Sequence, residues 1–89
     1  MKNLCGKTRK RDNPYEVWQA GDWFWLVLKK WQADDKKPYA RWFCDVYTPM
    51  TGGSFDLATM KPIGSSDMGD VYVQEIKSVA RCIYRDPTL

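Results

Sequence analysis

Eighty-nine residues, 44% of them apolar, make one small domain and leave no room for a second core. The net charge of +3 is unevenly placed: residues 1–13 carry Lys2, Lys7, Arg9, Lys10 and Arg11 against Asp12, leaving nine basic and ten acidic residues elsewhere. A body this close to neutral offers no basic stripe for nucleic acid or membrane. With no His, three scattered Cys (Cys5, Cys44, Cys82) and no apolar run longer than Trp23–Leu28, the chain is no disulfide scaffold, no His-based catalyst and no membrane-spanning helix.

Taken in chain order, residues 1–13 read as a flexible basic tail, and Pro14 opens a single β-rich domain over 14–86. No apolar h-region follows the N-terminal charges, so no signal peptide is expected and the protein should stay in the compartment where it is made. Tyr15–Ala20 alternates as a strand, and Gly21-Asp22 is a turn signal. Trp23–Gln32 is the strongest strand. Strict alternation puts Trp23, Trp25, Val27, Lys29 and Trp31 on one face and Phe24, Leu26, Leu28, Lys30 and Gln32 on the other. Its first half is apolar on both faces, which suits a strand curled inside a barrel or covered on both sides.

Residues 33–38 form a charged loop closed by Pro38. Tyr39–Thr48 returns as a second long strand with Trp42, Cys44 and Val46 on one face and Phe43 on the other. Residues 49–69, rich in Gly, Pro, Ser and Thr, read as a long loop with one short strand near Phe55–Leu57. Asp70–Val73 is a short β-branched strand, and Gln74–Ile76 fits one 3₁₀ turn. Val79–Tyr84 fits either period: a strand opposing Val79, Arg81 and Ile83 to Ala80, Cys82 and Tyr84, or a helix with Ile76, Val79, Ala80 and Ile83 in one stripe. Recurrent β-branching and the lack of a convincing N-cap favour the strand.

The expected fold is therefore mainly β: a small SH3-like antiparallel barrel or a strongly bent sheet of about five strands, with the basic tail attached. The alternative is an α+β fold with a C-terminal helix at 76–84. Such an analogy licenses nothing about ligands.

Five Trp, five Tyr and three Phe are a rich aromatic supply for so short a chain. Trp23, Trp25 and Trp42, at the start or middle of the long hairpin, are expected in the core. Trp31 and Tyr39 flank the charged loop, where the pattern has turned polar at Lys29 and Lys30. Those four form the candidate binding rim. The basic run supplies candidate tail contacts through Lys7, Arg9, Lys10 and Arg11, either gripping phosphates or simply solvating the tail. Asp34/Asp35 and Asp67/Asp70 look like turn chemistry rather than metal or acid–base pairs. Gly52-Gly53-Ser54 and Gly64-Ser65-Ser66 lack the context of a phosphate loop. Cys44 and Cys82 read as inert core thiols and Cys5 as an exposed one. No catalytic, metal or cofactor constellation emerges, and the chain is not expected to be an enzyme.

The segments Asn13-Pro14-Tyr15-Glu16-Val17-Trp18, Gly21-Asp22-Trp23, Leu28-Lys29-Lys30-Trp31-Gln32, Pro38-Tyr39-Ala40-Arg41-Trp42-Phe43-Cys44 and Met68-Gly69-Asp70-Val71-Tyr72-Val73 resemble small accessory proteins of tailed phages infecting actinobacteria. The likeness covers roughly residues 9–76. Those proteins carry no assigned activity, so the resemblance implies context rather than functional residues: a phage product in the host bacterial cytoplasm that binds host or phage machinery. Three expectations follow. The first is a protein-interaction module acting on a host or phage protein. The second is a nucleic-acid-binding accessory using the tail with Trp31 and Tyr39 as a stacking platform. The third is a homo-oligomer paired through strand edges. The neutral body favours the first.

Overall fold

The computed structural model describes residues 8–31 and 40–88. β1 (Glu16–Ala20) and β2 (Trp23–Trp31) form a hairpin closed by Ala20↔Trp23. The two residues between them, Gly21 at φ +59 and Asp22, suit a type II′ turn, whose first central residue needs positive φ. β3 (Arg41–Tyr47) pairs with β2, and β6 (Asp67–Tyr72) with the far side of β3. β7 (Arg81–Arg85) pairs with the far side of β1. The strand order β6-β3-β2-β1-β7 is antiparallel throughout, and its end strands do not pair with each other. The chain is thus mainly β with a five-stranded antiparallel sheet, and of the two expected forms the closed barrel is not the one adopted.

β2 is apolar on both sides because both are covered. β4 (Gly53–Asp56) and β5 (Lys61–Gly64) form a separate two-stranded hairpin over one face. There Val17, Phe24, Leu26, Leu28, Tyr47 and Phe55 make one buried cluster, with the Phe24 and Phe55 rings 5.4 Å apart. α1 (Val73–Val79) carries the chain from edge strand β6 toward edge strand β7 across the other face. Its Ile76 packs on Trp18, Trp25, Val27, Trp42 and Cys44. Each face removes several large side chains from water, at about 25 cal/mol per Å² of apolar surface.

Four sequence expectations change. The 49–69 loop contains the β4–β5 hairpin and the start of β6. Gly53 lets that hairpin lie flush, because a Cβ there would strike the Ser65 carbonyl and the Tyr47 ring. The ambiguous C-terminal stretch is helix first, Val73–Val79, then strand, so a helix at 76–84 is wrong beyond Val79. Residues 8–13 do not trail as a tail. The Arg9 N–H donates to the Leu28 carbonyl at 2.7 Å, and the Arg9 guanidinium pairs with Asp86.

The fourth change is a β-bulge. Val27 faces Cys44, but Lys29 already faces Phe43, so Leu28 is the extra residue on β2. Beyond it the faces exchange. Lys29 and Trp31 join the side of Phe43, and Lys30 joins the side of Trp42. Trp31 therefore lies on the face opposite Trp25 rather than beside it.

Candidate functional site

Trp31, Arg41 and Tyr72 are direct partners across β2, β3 and β6, and form one row on the sheet face that the hairpin only partly covers. The Arg41 guanidinium sits 5.5 Å from the Trp31 ring centre and 5.1 Å from that of Tyr72. It also pairs with Asp70, and the Lys29 ammonium lies 5.8 Å from Trp31 on its own strand. All three members of the row are partly buried. The next row is Lys29, Phe43 and Asp70. Between the rows opens a pocket of about 320 Å³ lined by Thr8, Lys29, Trp31, Phe43, Gly69 and Asp70.

Of the expected rim, Trp31 and Lys29 are here. Lys30 is not: alternation sets it opposite Lys29 and Trp31, and after the bulge that is the helix side, where its ammonium meets Glu16 at 3.0 Å and lies 5.9 Å from the Tyr15 ring. Tyr39 lies outside the described residues, as does Lys7 among the tail contacts. Arg9 stacks 4.0 Å from the Tyr15 ring and pairs with Asp86, so it holds the fold. Lys10 and Arg11 are exposed and line a different cavity, of about 610 Å³. Arg41, Phe43 and Tyr72 were missed. Residue type gave a signal, and the expected long hairpin already set β3 beside Trp31; only Tyr72 depended on the β3–β6 pairing, across a stretch that reads as loop.

On the helix side the aromatics serve the core. Trp18 and Trp42 pack at 5.4 Å, and Trp25 is buried as expected. Trp23, also expected in the core, is 40% exposed because it opens β2 at the rim. Glu16 is nearly inaccessible: Trp18 donates its indole N–H to one oxygen at 3.0 Å, and Lys30 and Arg85 hold the other at 3.0 and 2.8 Å. Burial pushes its carboxyl up, yet the bonds from Trp18 and Lys30 outweigh that and leave it below the usual range. The backbone N–H of Thr88, then Arg9, draw Asp86 down to about 2. Burial lifts the Cys44 thiol to about 12, which makes it unreactive.

Among the described residues no three His, Cys, Asp or Glu side chains converge as metal ligands, and no helix is long and apolar enough to cross a membrane. No protein-family model, curated protein or solved structure matches the chain.

Proposed function

We propose that this chain is a non-enzymatic protein-interaction module with the Trp31–Arg41–Tyr72 row at the centre of its interface. The observation that carries this reading is the row itself. Trp, Arg and Tyr are the residue types that dominate binding energy at protein interfaces. Here one guanidinium lies against two rings, so three side chains are ordered before any partner arrives. The adjoining pocket suits one apolar side chain of a partner, and Lys29 beside it suits a carboxylate. The near-neutral body speaks for a protein partner over nucleic acid. The resemblance to actinophage products supports a host or phage protein in the bacterial cytoplasm as the partner.

The test is capture from actinobacterial lysate, with and without nuclease treatment, by the wild type, Trp31→Ala and Arg41→Ala, with melting temperatures measured alongside. A discrete protein should be retained by the wild type and weakened at least tenfold in each variant, as expected for an aromatic or Arg hot spot. Equal retention by all three proteins, or retention abolished by nuclease, rejects the reading.

A further inference from the structure

The larger cavity, about 610 Å³, lies under the N-terminal segment and beside β5. Its floor comes from β2 and β3 through Leu28, Asp45 and Tyr47, and Lys10, Arg11 and Lys61 stand around it. We propose that this cavity binds a nucleotide, with the phosphate among Lys10, Arg11 and Lys61 and a guanine base turned toward Asp45.

Size and charge set the outer half of the argument. The volume falls within the range of small-ligand sites, roughly 300–1,000 Å³. Neither Lys10 nor Lys61 has a carboxylate partner among the described residues. Arg11, its side chain 58% exposed, reaches only the Tyr47 hydroxyl at 3.2 Å and Asp45 at 3.8 Å. Asp12 lines the same opening and offsets one of these charges, so the mouth keeps a net positive charge that favours a phosphate.

Asp45 sets the inner half. It is completely buried on the hairpin side of β3, between Phe43 and Tyr47 in the alternation. Tyr47 donates its hydroxyl to Oδ2 at 3.1 Å, whereas Oδ1 has no hydrogen-bond partner. A buried carboxylate oxygen left unpaired carries its full desolvation penalty, and such an atom calls for an explanation. A donor-bearing ligand supplies one. Arg11 stands 3.8 Å from Oδ2 and leaves Oδ1 to the ligand. Leu28, Pro62 and Met68 give apolar walls for a planar ring. Among the bases, guanine presents two adjacent N–H donors to a carboxylate. Uracil flanks its single donor with carbonyls, and adenine sets an acceptor beside its amine.

The binding unit is a guanosine monophosphate group, free or within a single strand. Calorimetry on the full chain at low salt, with GMP, IMP, AMP, inorganic phosphate and short single-stranded G- or A-containing oligonucleotides, tests it. GMP should bind at least tenfold more tightly than AMP, and IMP, which lacks the amine, should fall between. Lys10→Ala and Lys61→Ala should each weaken GMP and phosphate about tenfold. Asp45→Asn should bring GMP down to the level of AMP while phosphate binding persists. The IMP comparison and the two Lys variants leave the core untouched, so they decide the matter even if Asp45→Asn does not fold. Tighter binding of the G oligonucleotide than of GMP assigns the site to a strand, and the reverse to a free nucleotide. No binding of GMP at millimolar concentration, or equal affinity for GMP and AMP, overturns the proposal. Trp31→Ala should leave GMP binding unchanged, which separates this site from the interaction row.

Discussion

Glu16 shows what one residue contributes on the helix side of the sheet. It takes the Trp18 indole N–H and two cations while nearly inaccessible to water. Glu16→Ala would strand the indole donor and leave Lys30 and Arg85 without their anion. It should cost about 3 kcal/mol in chemical denaturation, near the lower end for breaking a buried pair. Glu16→Gln keeps an acceptor and should cost less. The tryptophans divide in the same way. Trp25→Ala empties a packed site and should cost about 3–5 kcal/mol. Trp31→Ala should cost less, about 2 kcal/mol, since its ring is only partly buried. The depth of Trp25 and Trp42 was legible from their place in the apolar half of the hairpin. The depth of Glu16 was not, because the groups that neutralise it stand 14 and 69 positions away.

At the scale of elements, the long hairpin and the final strand could be read from alternation and turn chemistry. What alternation could not show was the interruption at Leu28. Lys29 and Lys30 are both polar, so the pattern there carries no phase, and the bulge moves Trp31 to the other face unannounced. The β4–β5 hairpin escaped for a different reason. Its strands have four residues each, with Gly, Ser and Pro among them, and they pair only because they also lie on β2 and β3. α1 leaves β6 directly with no side-chain cap, so its start lacked the usual mark. The fit of β4 over Tyr47 is testable at Gly53. Gly53→Ala should cost about 2 kcal/mol by overpacking, seen as a lower denaturation midpoint with an unchanged slope. A neutral result would mean that the hairpin sits away from the sheet.

For the whole molecule, two of the three depressed carboxyls, Glu16 and Asp86, carry the response to acid through their tertiary partners. Glu16 and Asp86 hold their protons less tightly when folded, so the unfolded chain binds more protons in acid and stability rises with pH there. The stabilisation is complete above the ordinary carboxyl range, near pH 5, and is lost progressively as pH falls toward about 2, the folded value of Asp86. Denaturant melts from pH 7 to pH 2 should show this fall, and Asp86→Asn should flatten its lower part. A wild-type stability that stays level down to pH 2 would mean that neither carboxyl is held by its partners in solution.

Arg9 and Asp86 clasp segments 77 positions apart, next to the place where Glu16 pairs with Arg85. That arrangement has a mechanical consequence. Tension applied between residues 9 and 86 runs across the β1–β7 ladder, not along it, so once the clasp opens the load falls on one antiparallel pair at a time. β7 should peel like a zipper at low force while the β2–β3 hairpin remains intact. An unfolding motor pulling from either side would therefore meet its weakest seam first, and the first apolar surface uncovered would be Ile83 and Tyr84.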